Sequence, residues 1–409
     1  MAGAAAAVSP PVEKADATAW IAVAAGALGA MLATLDISIV NSALPTIQGE
    51  IGATGTEGTW IATAFLVAEI IIIPLSAWLE RLLGLRTLLI VAVSAFTAFS
   101  VLCGIATDLT TMIIGRTGQG FMGGALIPTA MTIVAKRLPP SQQPIGMALF
   151  GMTVVLGPVM GPLVGGWLTE NLSWHYAFFV NVPVCALLLA LLFIGLPHEK
   201  PDWVYLREAD WAGIAGMILG LGGLTIVLEE GHREEWFDST LIVQLTLMTV
   251  VGFALLTYGQ LYARKPVLKL RLMLSRQFAS VVVMALALGM VMYGSTYVIP
   301  QFLAIISDYN ALQTGLVIFW MGVPAFLLMP VLPFMIRRIH IRIAVGAGMF
   351  IMALSCFVSI NLTAESGGGV FTESQFLRGI GMILTMMFLN QATVASVAKE
   401  DAGDASGIF

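Results

Sequence analysis

The sequence predicts an all-α polytopic membrane protein: two six-helix bundles, two helices inserted between them, and a last pair of helices missing from this chain. Three observations carry this expectation. Of 409 residues 58% are hydrophobic and 11% charged, where a soluble domain has about 25% charged. Apolar runs of about 20 residues, the length that crosses a hydrocarbon core, recur from one end to the other. Two stretches 256 residues apart also align without gaps.

In order, the runs cover residues 18–43, 59–79, 87–106, 109–135, 145–168, 176–196, 211–228, 240–263, 278–299, 312–336, 343–362 and 370–397, twelve helices in all. Polar breaks separate them: Gln48–Glu57, Glu80–Arg86, Asp108, Lys136–Gln143, Ser173–His175, His198–Asp210, Glu229–Asp238, Arg264–Arg276, Asp308–Asn310, Arg337–Arg342 and Glu365–Gly369. Residues 1–17 carry no charged-then-apolar leader pattern and read as a disordered tail. The division that follows is a bundle over 18–196, a linker with the inserted pair over 197–275, and a second bundle over 276–409 that holds four of its six helices.

Basic residues near helix ends are held on the cytoplasmic side. With the N-terminus inside, 16 of the 19 Lys and Arg fall in cytoplasmic segments, and Arg233 alone sits in an outer loop. That outer loop otherwise carries Glu229, Glu230, Glu234, Glu235 and Asp238. The net charge of −5 therefore points to no nucleic-acid partner; the cations face the bilayer. Cys103, Cys185 and Cys356 are solitary in apolar spans, where thiols behave as small hydrophobes.

The repeat sets "PLSAWLERLLGLRTLL" from Pro74 against "PVLPFMIRRIHIRIAV" from Pro330, aligning Arg81 with Arg337 and Arg86 with Arg342. A weaker match pairs Gln119-Gly120 with Arg378-Gly379. Transporters are often built from such parallel repeats. A spacing this long leaves room for two extra helices between the halves, and it carries the second half past Phe409, so fourteen helices are expected in the intact protein.

Charges inside apolar spans are the first functional candidates, because each costs a few kcal/mol or more at the bilayer centre. Asp36, Glu69, Arg116 and Arg378 are such charges. Counting from the expected outer helix ends at about 1.5 Å per residue, the first three lie roughly 10–15 Å deep and can share one layer. An acid pair beside an arginine makes a proton site that a cationic substrate can empty; the alternative is a static ion network that holds helices in register. Arg378 either snorkels or faces a cavity from the second half.

Several stretches resemble the signature segments of the major facilitator superfamily, in particular its fourteen-helix drug:proton antiporters. They are "LDISIVNSALP" from Leu35, "RTGQGFMGGALIP" from Arg116, "GPVMGPLVGG" from Gly157 and "SWHYAFFVNVP" from Ser173. "GTWIATAFLVAEIIIIPLSAWL" from Gly58 is similar, more narrowly, to the EmrB-type exporters. The resemblance implies a major facilitator fold and multidrug efflux by proton antiport. It also implies an inner-membrane location with a periplasmic adaptor and an outer-membrane channel as partners, the acidic loop with Trp236 being one candidate contact. Asp36 and Arg116 match the family's first-helix acid and fourth-helix arginine.

In "GPVMGPLVGG" the resemblance implies a gating segment: Gly157, Gly161 and Gly165 form one face for close helix approach, Pro158 and Pro162 weaken the backbone, and Gly166 ends the motif. Close helix contact without gating is the plainer alternative. The loop after the second helix departs from the family pattern: Arg81 stands where an Asp is usual, which puts the cytoplasmic charge latch in doubt; Glu80 is the available substitute, although it points elsewhere on the helix. A central cavity in such a fold makes Trp60, Phe65, Met152, Tyr293, Tyr297, Phe319, Trp320 and Arg378 the candidates for contact with a hydrophobic or amphipathic substrate. His175, His198, His232 and His340 lack metal-ligand spacing, and no phosphate-cradling loop occurs. No cofactor is expected, and an ion gradient is the expected driving force. Proton-coupled uptake on the same fold is the alternative function, and an enzyme would need clustered catalytic residues that the sequence lacks.

Overall fold

The computed structural model describes residues 14–309, 311–328, 331–360, 362–363 and 366–409. Residues 1–13 of the expected tail, Pro330 of the repeat and the Arg337 side chain lie outside the described residues. Among those described, every regular element is a helix.

Asp16 opens α1 (Ala17–Glu50) by accepting the Ala19 amide, the N-cap role for which Asp is favoured. This helix continues seven residues past its expected end. The polar Asn41-Ser42 and Pro45 read as a boundary, yet Val40, Ala43 and Ile47 stay buried in one apolar cluster with Trp174 and Phe178. A one-turn α2 (Gly55–Gly58), closed by a Thr54–Glu57 capping box, leads into α3 (Trp60–Leu83). Gly84, at φ 79°, turns the chain directly into α4 (Leu85–Gly104), a conformation that glycine adopts without strain.

The expected fourth span is two helices, α5 (Leu109–Gly123) and α6 (Leu126–Arg137). Then come α7 (Gln143–Asn171), α8 (Tyr176–Phe179), α9 (Asn181–Gly195) and a short α10 (Val204–Arg207). The inserted pair is α11 (Trp211–Glu230) and α12 (Thr240–Tyr262). The rest is α13 (Arg276–Ile306), α14 (Ala311–Leu328), α15 (Leu332–Arg338), α16 (Ile341–Val358), α17 (Phe371–Ala395) and α18 (Ala402–Ile408). Among the described residues nine helices are long and apolar enough to cross a membrane. The shorter or more polar spans, α5 with α6, α14 with α15, and α17, hold Arg116, Phe319, Trp320 and Arg378.

Two apolar clusters organise the helices. One joins α1, α4, α6 and α9 with Phe65 of α3 and with Met147, Phe150 and Val154 of α7. The other joins α13 to α17 with Ala148 and Val159 of the same α7, so α7 belongs to both. The inserted α11 and α12 sit on the far side of α3, with Met217 and Leu256 against Ile71, Leu75 and Trp78. We call the end that carries Arg81, Lys136, Lys265 and Lys269 the basic end.

Candidate functional site

The first cluster encloses a polar layer in which every group is bonded. Asp36 on α1 and Arg116 on α5 are 0% and 1% exposed and form an ion pair, Nη1 to Oδ2 2.6 Å. Asn181 at the start of α9 donates to the other Asp36 oxygen at 2.6 Å, and Gln119 donates to it at 3.2 Å. Arg116 donates to the Gln119 Oε1 atom and to the Ile61 carbonyl, while its guanidinium lies 4.2 Å from the Phe65 ring centroid. Ser100 on α4 accepts from Gln119 and Asn181 and passes a bond to the Phe178 carbonyl. A buried ion pair offsets its desolvation only when the remaining lone pairs and protons find partners. Here both Asp36 oxygens and the Arg116 Nε and Nη1 do, across α1, α3, α5 and α9.

Gln119, Asn181 and Ser100 were not among the residues singled out by charge. Two of them lie within stretches that were, "RTGQGFMGGALIP" and "SWHYAFFVNVP"; amides among apolar residues were the available signal.

Glu69 is placed differently from the shared layer expected. It follows Phe65 by one turn of α3, about 6 Å further toward the basic end. It feels the charges of both Arg116 and Asp36, but no hydrogen bond reaches its carboxylate among the described residues. It is 8% exposed. Tyr293 on α13 is 70% exposed.

The remaining candidates divide. Met152, Trp60 and Phe319 are half-buried, and Trp320 is exposed; no contact joins any of them to Glu69 among the described residues. The Tyr297 side chain lies outside the described residues. Two residues depart from the expected cavity lining. Phe65 is fully buried beneath Arg116, because that cation needs an aromatic face more than a substrate does. Arg378 neither snorkels nor lines a cavity: it is buried, donates to Gln375 at 2.8 Å, and its Nε has no partner.

The glycine motif has a specific counterface. A Cβ at Gly157, Gly161 or Gly165 would come within 3 Å of Thr34, Ser38 or Ser42, three small residues at the same four-residue interval on α1. The two backbones approach because neither side has bulk. Gly166 faces open space, and Pro158 and Pro162 are half-buried off this face. On its other side α7 meets α14, where Val159 fills the position beside Gly322.

A charge latch forms at the basic end with reversed polarity. Arg81 grips the fully buried Asp404 of α18 with both nitrogens, at 2.7 and 3.3 Å, and also donates to the Val267 carbonyl. Lys269 bonds Asp401 and stands 3.9 Å from Asp404. The departure at Arg81 thus leaves an ion pair at this place with the charges exchanged: Arg81 supplies the cation from α3, and α18 supplies the acid. Glu80 is held instead by Lys136 of α6, at 2.5 Å. Nearby, the Glu208 carboxylate holds the Lys265 ammonium above the usual lysine range.

Two helical groups that share α7, a buried ion pair inside one, and an ion pair between α3 and α18 at the basic end suit a membrane transporter. The family description "Major Facilitator Superfamily" matches residues 26–409. The chain is 32% identical to the colistin resistance protein EmrB of Acinetobacter baumannii over 392 residues, 96% of this chain and 77% of that protein. It is 31% identical to the multidrug export protein EmrB of Escherichia coli over 93% of this chain and 74% of that one. The crystal structure of the human organic anion transporter MFSD10 has the same fold, with a TM-score of 0.66 and 17% identity over 98% of this chain and 90% of that chain. The chain belongs to the Major Facilitator Superfamily and to its EmrB-type branch; it is a multi-pass membrane transporter, not an enzyme.

Proposed function

We propose that the protein is a proton-driven antiporter that exports hydrophobic or amphipathic compounds by alternating access, with the basic end in the cytoplasm of an inner membrane. In this reading residues 18–196 and 276–409 are the two rocking halves and 197–275 braces α3. The relatives named for colistin resistance and multidrug export support the direction and the substrate class.

One observation carries the mechanism: the two buried acids are not equivalent. Asp36 accepts bonds from Arg116, Gln119 and Asn181, so both of its oxygens already have protein donors. Glu69, 8% exposed, lacks such donors among the described residues. Glu69 therefore carries the exchanged proton, while Asp36 and Arg116 supply a fixed field and align α1, α5 and α9. Opening toward the outside lets Glu69 take a proton as cargo leaves; opening of the basic end lets cationic cargo displace it. The exposed Phe237 beside Trp236 is the surface left for a periplasmic adaptor, since Glu230 and Arg233 of that loop turn inward toward Thr59 and Thr63.

Substrate-evoked proton release in proteoliposomes tests this. Glu69→Gln should abolish release at unchanged folding, whereas Asp36→Asn should chiefly lower the yield of folded protein. Full coupling in the Glu69→Gln protein would refute the assignment.

A further inference from the structure

Asn390, near the basic end of α17, is 0% exposed, and among the described residues neither its Oδ1 nor its Nδ2 has a hydrogen-bond partner. The Oε1 of the next residue, Gln391, is also unpartnered. The place matters. Asn390 Nδ2 is 3.8 Å from where a Cβ on Gly151 of α7 would lie, and Met387 of the same α17 face presses on that glycine. Met386 and Val394, one turn to either side, pack against the first apolar cluster. Asn390 is thus shut into the seam where the second group of helices closes on the first.

Asn181 shows the contrast. It is the same residue type, equally buried, and its amide bonds both Asp36 and Ser100. A buried amide without partners bears its full desolvation cost, and a leucine would fit a permanently closed seam better. We propose that Asn390 is a counterweight to the Arg81–Asp404 latch: its amide is unsatisfied only while the basic end is closed, and it gains partners from water or cargo when the seam parts. This inference rests on the alternating-access reading. The latch holds the end shut, Asn390 favours opening, and their balance sets how often cargo can enter.

The test is the distribution of distances between spin labels at the basic ends of α6 and α17, measured without substrate in the full-length protein. Asn390→Leu should lower the open population by about fivefold or more and raise thermal stability. Asp404→Asn should raise the open population, and combining the two should return it toward wild type. An unchanged distribution in Asn390→Leu, or lost stability without a shift, would overturn the proposal, because either result means that the amide is satisfied in the closed seam. A wild type confined to one distance under all conditions would overturn the alternating-access reading as well. Met387→Leu, which changes the same seam without touching an amide, should leave the populations as they are.

Discussion

Arg116 and Arg378 are single arginines buried in apolar helices, one in each group, and their surroundings are opposite. Arg116 has an acid, an amide, a carbonyl and an aromatic face. Arg378 has Gln375, with the Cys356 thiol nearby, and no carboxylate pairs with it among the described residues. Asn390 and Gln391 extend the same shortage along α17. The polar side chains around Arg116 in the first group are thus bonded to one another in this arrangement. The second holds polar groups that lack partners in this arrangement among the described residues.

The comparison breaks if the two arginines respond alike. Arg116→Met strands the Asp36 charge, and removing one partner of a buried pair costs about 3–5 kcal/mol. Thermal unfolding in detergent should show this loss, and Asp36→Asn in the same chain should recover most of it. Next in size, Gly161→Ala pushes a methyl into Ser38, and overfilling of this kind costs about 1–3 kcal/mol. Gly166→Ala, which meets nothing within 4 Å, is the control and should be neutral or slightly stabilising. The smallest effect belongs to Arg378→Met: with no ion pair to break, stability should change by about 1 kcal/mol or less. A loss there as large as that of Arg116→Met would mean that Arg378 has an acid partner, and the contrast between the groups would disappear.

Much of the fold was legible because apolar runs of membrane-spanning length leave few alternatives: a backbone in lipid must satisfy its own hydrogen bonds. Each of the twelve expected runs is a helix or a helix pair, and the errors lie at ends and breaks, such as the extension of α1 to Glu50 and the split between α5 and α6. Asp36, Glu69 and Arg116 stood out because charge is rare in such runs. Gln119, Asn181 and Ser100 did not, since a neutral polar side chain in a membrane helix is commonplace until its partners are known. The glycine face was legible, but its counterface of Thr34, Ser38 and Ser42 was not, because small residues on a neighbouring helix carry no mark of which helix they will meet.

What the sequence by itself determined was the set of helices, their amphipathic ends and the charges they had to bury, because these follow from the transfer cost of each segment taken alone. Only tertiary structure decided that Asp36 is surrounded by hydrogen-bond donors while Glu69 has none among the described residues, and that Arg81 would find its partner 323 residues away in Asp404. Those outcomes depend on which helices come within bonding distance, and a hydrogen bond or ion pair is a property of two groups that the local cost of either one does not contain.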